Sequence, residues 1–196
     1  NMGGLGSYVA PTTSSSPDPI FVYNNAGVYN VTLTVTDING CIGDTTIIVT
    51  VDTLPIANFS ATEICHGDTT LFTDVSVGTS GVITAWNWNM GGLGSYVAPT
   101  TSSSPDPIFI YTNAGTYNVN LEVTDDNGCI HDTTIVVIVR PNPTANFSAT
   151  TICEGDTTLF TDQSTIILPL GGVITSWNWN MGGLGSYVAP TTSSSP

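Results

Sequence analysis

The sequence predicts an all-β chain of repeated seven-strand sandwiches, and three observations predict it. Apolar and polar residues alternate: Tyr117, Val119, Leu121 and Val123 interleave with Asn118, Asn120, Glu122 and Thr124, the period of a half-buried strand. The pattern recurs at Tyr29, Val31, Leu33 and Val35, and each copy is followed by Asn-Gly, at 39–40 and 127–128, a strong hairpin signal. The chain also repeats itself. NMGGLGSYVAPTTSSSP occupies 1–17, 89–105 and 180–196, at offsets of 88 and 91 residues. No stretch sustains helical spacing.

The elements follow in order. Ala57–Ser60 opens a unit. The His66-Gly67-Asp68 turn sends Thr69–Asp74 back as its hairpin partner. Trp86 and Trp88 share one face of the next strand, with Asn87 and Asn89 on the other, and their repetition at Trp177 and Trp179 marks them as core. The alternating strand through Tyr117–Thr124 comes after, then TTIVVIV at 133–139. ANFSAT-IC-GDTTLFTD recurs at 57–74 and 145–162. The repeat offset grows by three residues where VSVGTSG faces QSTIILPLGG, which marks a surface loop. The stiff segment Arg140-Pro141-Asn142-Pro143 reads as a short boundary, and 52–56, with Pro55, as its upstream match. Residues 54–141 therefore form one complete unit, 1–53 the rear half of another and 142–196 the front half of a third. Strand count and spacing make the unit an immunoglobulin-like sandwich, arranged head to tail. The 196 residues read as one two-unit period of 179 residues plus a 17-residue overlap, a window on a longer array.

Composition narrows the function. One basic residue, Arg140, stands against fifteen acidic ones, and the net charge is −14. Nucleic-acid binding needs a basic stripe, and an anionic membrane surface would repel the chain. No apolar run reaches the ~18 residues of a membrane-spanning helix. The 40% hydrophobic content argues against charge-driven disorder. The acids fall one or two to a turn, a repulsive coat rather than a site. An extracellular, secreted location follows.

Three stretches resemble the PKD (polycystic kidney disease) domain in the tandem form of Bacteroidota surface proteins. They are the Trp86-x-Trp88 strand, DPIFIYTNAGTYNVNLEVTD at 106–125, and the PTANFSA entry strand at 143–149. Met90-Gly91-Gly92-Leu93 stands where the family usually carries Phe-Gly-Asp-Gly, so the acidic loop residue of a family calcium site is missing. The resemblance implies a rod of non-catalytic sandwiches serving as spacer, adhesive or protein-contact module.

The four cysteines sit at two repeated places. Cys65 and Cys153 lie in the turn before the second strand, and Cys41 and Cys129 just after Asn-Gly. Strand order puts the first and last hairpin turns at opposite poles, ~25–30 Å apart, against the ~5.5 Å a disulfide needs. Bridges between neighbouring units are favoured; one bridge per unit, Cys65–Cys129, and free thiols stay open as alternatives.

Asp-Thr-Thr recurs at 44–46, 68–70, 132–134 and 156–158, and Asp-Thr-Leu stands at 52–54. These resemble the Bacteroidota O-glycosylation signal, with Thr45, Thr53, Thr69, Thr133 and Thr157 as acceptors; an Asp-ended turn before a Thr-rich strand explains the same residues. Asn30, Asn58 and Asn146 head N-glycan sequons. Calcium is a candidate at Asp125-Asp126-Asn127 and Asp37/Asn39, but the hairpin-turn reading is preferred and no cofactor is expected. His66 and His131 lack repeat counterparts and make no site, and no serine stands in a nucleophile elbow, so no enzyme is expected.

The expected function is a structural repeat of an extracellular filament or cell-surface stalk, self-associating or continuous, stiffened by disulfides and glycosylated. Alternatives are an adhesin or glycan-binding module, with Tyr8 and Tyr96 as loop-tip aromatics, or accessory domains of a secreted hydrolase. The identical 17-residue loops suit either a lateral contact between rods or a recent duplication. The terminal halves complete a sandwich either along one continuous chain, which the overlap favours, or between successive subunits.

Overall fold

The computed structural model describes residues 6–167, 170–183 and 187, and these contain strands and no helix. The strands are β1 (Gly6–Tyr8), β2 (Phe21–Tyr23), β3 (Gly27–Thr36), β4 (Ile42–Val51), β5 (Phe59–Ala61), β6 (Ile64–Cys65) and β7 (Thr70–Asp74). They continue as β8 (Ile83–Asn89), β9 (Gly94–Tyr96), β10 (Ile108–Tyr111), β11 (Gly115–Asp125), β12 (Ile130–Arg140), β13 (Phe147–Ala149) and β14 (Phe160–Asp162).

β5 to β12 build an immunoglobulin-like sandwich of two four-stranded sheets, ordered β5-β7-β10-β9 and β6-β12-β11-β8. Seven of these strands span three residues or more; the eighth, β6, is a two-residue parallel edge on the end of β12. The alternation in β11 does its physical work directly. Val119, Leu121 and Val123 are fully buried, while Thr116 and Asn118 face out. Phe59, Phe72 and Trp88 meet them from the other strands, with ring centroids 4.9 Å and 5.4 Å from Trp88 to the two phenylalanines. Tyr111 stacks on Tyr117 at 4.0 Å and donates its hydroxyl to the Met90 carbonyl at 3.0 Å. Burial raises the Tyr111 phenol far above its ordinary value, so it stays a donor. Tyr117 donates to the Asn113 carbonyl at 2.6 Å, tying the strand to its entry loop as a tyrosine corner does.

Thr70 is a flaw in this core. It is fully buried and its hydroxyl has no hydrogen-bond partner. Thr70→Val removes the orphaned hydroxyl at nearly constant shape and is expected to raise stability by ~1 kcal/mol. A urea midpoint that falls instead shows that the hydroxyl is satisfied.

One expectation holds in a particular form and another changes. The Asn-Gly pairs make hairpins; among the described residues no non-glycine residue has positive φ, whereas Gly40 and Gly128 have φ of 82° and 81°. The Gly128 amide donates to the Asp125 carbonyl and the Asp125 amide to the Cys129 carbonyl. This is a three-residue loop closed by a left-handed glycine, a turn with bulge rather than a two-residue turn. The repeated segment at 89–105 is not simply a loop. It supplies β9, buries Met90, and folds over the tryptophan strand, where the Trp88 amide donates to Ser102 and its indole to the Ser104 carbonyl. Identity at these positions therefore has a packing reason.

Outside the central sandwich, β3 and β4 form a two-stranded hairpin, β1 pairs β2, and β13 pairs β14. Their apolar residues are uncovered: Leu33 is 57% exposed against 0% for Leu121, and Phe147 55% against 4% for Phe59.

Candidate functional site: the poles of the sandwich

The residues singled out by the sequence gather at the two ends of the central unit. At the entry pole, Asp125 Oδ1 accepts from the amides of Asn127 at 3.0 Å and Cys129 at 2.8 Å. Asp126 Oδ1 accepts from the Val82 amide at 2.9 Å. The incoming chain docks here. The Thr53 hydroxyl donates to Thr79 Oγ1 at 2.7 Å, its amide donates to Ser80 Oγ at 3.0 Å, and the Ala57 amide donates to His131 Nδ1 at 3.1 Å. Asp125 and Asp126 thus act as turn caps, with the Asn127 amide among the groups they satisfy. No group of three potential metal ligands is found among the described residues.

At the exit pole, β6 runs parallel to the last residues of β12, with Cys65 opposite Arg140. Arg140 pairs with Glu63 at 2.7 Å and donates to the Leu170 carbonyl at 3.0 Å, so the sole cation of the chain ties the central unit to the segment that follows. His66 donates through Nε2 to the Thr112 carbonyl at 2.9 Å, and Asn142 donates to the His66 carbonyl at 2.8 Å. Both histidines are therefore structural contacts, far from each other. The sequence reading missed these anchors. Arg140 alone carried a signal, as the single cation placed in a linker.

Cys129 precedes the first residue of β12 and Cys65 lies opposite its last, Arg140. Eleven residue steps along β12 separate the two cysteines by ~36 Å, so a Cys65–Cys129 bond cannot form within the unit. All four cysteines are unbonded; Cys41, Cys65 and Cys153 are exposed and Cys129 is half-buried. Burial first, then the charges of Asp125 and Asp52, push the Cys129 thiol up, which keeps it protonated and slow to react alone.

Of the five threonines, Thr45, Thr53, Thr69 and Thr157 are exposed, and Thr133 is half-buried opposite Leu121 on β12. Thr53 is already engaged at the entry pole. The proposed loop-tip aromatics are corrected. Tyr96 lies in β9 with its ring 5.1 Å from Phe109 and its hydroxyl on the Trp88 carbonyl at 3.2 Å. Tyr8 lies in β1, 5.0 Å from Phe21. Cross-strand packing, not a loop tip, holds both. Trp88 is core as expected, and Trp86, Trp177 and Trp179 are half-buried. Among the described residues no helix is long and apolar enough to cross a membrane.

The PKD domain family model matches residues 52–139. Among solved structures, the PKD1 domain of Vibrio anguillarum Epp is 29% identical, with 47% of this chain and all of that one covered, at a TM-score of 0.40. The PKD1 domain of the Vibrio cholerae metalloprotease PrtV is also 29% identical, covering 44% of this chain and 98% of that one, at 0.37. No curated protein sequence matches significantly. Residues 52–139, all-β and sandwiched as described, match the PKD domain family.

Proposed function

We propose that the chain is a structural repeat of an extracellular filament or cell-surface stalk, in which sandwiches follow one another head to tail. One observation carries this reading: the chain enters the central sandwich at the Cys129 pole and leaves at the Arg140 pole, so each unit adds its length, roughly 35–40 Å, to a rod. Contacts at both poles favour a stiff joint over a loose linker. Thr53 binds Thr79 and Ser80 on one side, and Arg140 and Asn142 hold the other. The acidic coat keeps neighbouring rods apart.

Inter-unit disulfides and O-glycans complete the proposal. Cysteines at the poles serve the joints, and the exposed Thr45, Thr69 and Thr157 sit where a glycan meets no packed surface. Electron microscopy of cells that make the protein, labelled with antibody to the central sandwich, tests the reading. Label along extracellular filaments or stalks is expected; label confined inside the cell overturns it. An intact mass equal to the bare polypeptide removes the glycans alone.

A further inference from the structure

We propose that the outer edge of β12, from Asp132 to Val136, takes up an extended, lysine- or arginine-bearing segment of another protein as an added strand. The pairing of β11 with β12 carries this. The Asp125 amide donates to the Cys129 carbonyl at 3.0 Å, so residues 125 and 129 form a hydrogen-bonded pair. Bonded pairs recur at every second position of an antiparallel ladder, here at His131, Thr133, Ile135, Val137 and Val139. The amides and carbonyls of Asp132, Thr134, Val136, Ile138 and Arg140 therefore point away from β11. Arg140 confirms the phase, because its carbonyl accepts from the His66 amide on the far side at 2.7 Å.

β6 covers only the end of this edge, pairing with Val139 and Arg140. The strand before it, β5, pairs with β7 in the opposite sheet, and the chain crosses over at 62–63. Among the described residues, the outward amides and carbonyls of Asp132, Thr134 and Val136 have no hydrogen-bond partner. A groove of about 140 Å³ opens beside them, with 61–63 on one wall and 135–138 on the other. The Ala57 amide on His131 closes it at one end and β6 at the other. The span from His131 to Val139 is ~26 Å, room for a strand of about seven residues. The edge is rich in β-branched residues and carries no lysine or proline, the residues that commonly block such pairing.

Charge names the occupant. Glu122 stands directly opposite Asp132. The two form a non-hydrogen-bonded pair, whose side chains approach most closely, and like charges so placed repel. Asn120 and Asn87 donate to the Asp132 and Glu122 carboxylates at 2.8 and 3.4 Å and bring no positive charge. The sole cation of the chain, Arg140, is engaged with Glu63. A strand laid beside β12 sets one of its residues next to Asp132 on the same face, where a lysine or arginine relieves the repulsion. A second copy of this chain, with a net charge of −14, would add to it. The edge belongs to the central sandwich, so it is present whether or not the units form a rod.

Hydrogen exchange followed by NMR on the 196-residue chain tests the edge first. The amides of Asp132, Thr134 and Val136 are expected to exchange fast, and those of Thr133, Ile135 and Val137 slowly. The probe is then the end-capped peptide Thr-Lys-Val-Thr-Val-Lys-Thr, with Thr-Glu-Val-Thr-Val-Glu-Thr as its control. The lysine peptide is expected to slow all three fast amides, less so in high salt, and the glutamate peptide to leave them unchanged. Val136→Pro deletes an outward amide without breaking the ladder to β11, and is expected to weaken binding ~10-fold with the cooperative melt retained. Asp132→Asn leaves the backbone edge intact and is expected to weaken binding of the lysine peptide roughly threefold. Slow exchange of the three amides in the free chain, no protection by the lysine peptide, or unchanged binding in both variants overturns the proposal. So does equal protection by both peptides, which would make the edge indifferent to charge. Protection that rises with protein concentration alone would make a second copy the occupant and overturns it too.

Discussion

Trp88→Ala is expected to destabilise the central sandwich by about 3–5 kcal/mol, a large part of what a domain of this size possesses. Trp88 is 4% exposed and wedged between Phe59 and Phe72 under three fully buried residues of β11. Deleting the indole removes that contact and opens a cavity that strands on both sheets cannot follow inward. It also leaves the Ser104 carbonyl without the 2.9 Å indole donor that pins the 89–105 segment over the core. Trp86→Ala is the matched comparison. Trp86 is half-buried and binds Asp74 at 2.7 Å near the surface, so ~1–2 kcal/mol is expected. Urea unfolding followed by circular dichroism measures both. Equal losses would show that the two indoles bury equally and that the core is drawn in the wrong place.

The contrast between the two tryptophans also shows what a sequence gives up. Alternation in β11 was readable because a strand buries every second residue whatever lies above it. The Asn-Gly pairs were readable as turns for a similar reason, since glycine conformation is local; the turn type depended on Asp125 and was not. The pole separation of Cys65 and Cys129 followed from strand order alone. The segment 89–105 misled because its glycines, serines and threonines look like loop, while β9 gains its stability from pairing with β10 and from covering Trp88. Tyr96 was misplaced with it. The anchors at the joints, Thr53 on Ser80 and Arg140 on Leu170, join residues far apart in the chain that share no pattern. Those contacts exist only once the sandwich has brought its poles to the linkers.

Asp125→Ala is expected to cost about 2–4 kcal/mol, through the turn rather than the core. Asp125 is 2% exposed, and one carboxylate oxygen takes both the Asn127 and Cys129 amides. Alanine leaves two inward-facing donors with nothing to bind. It also loosens the hairpin on which Asp126 holds Val82. Asp125→Asn keeps an acceptor in place and is expected to cost less. The second carboxylate oxygen of Asp125 is buried without a partner, so the amide nitrogen that replaces it prevents full recovery. The exposed copy of the same turn allows a test by titration. Asp37 accepts from the Cys41 amide at 2.8 Å, and that bond, ahead of those from Asn39, holds its carboxyl below the usual value. A folded value below the unfolded one means that the stabilisation is complete above the ordinary aspartate range near ~3.9 and is lost as pH falls through the lowered value. The Cys41 amide proton shift should therefore titrate with a midpoint under that of a free aspartate. A midpoint at or above it would show that the carboxylate does not cap the turn, and the expected loss in Asp125→Ala would lose its cause.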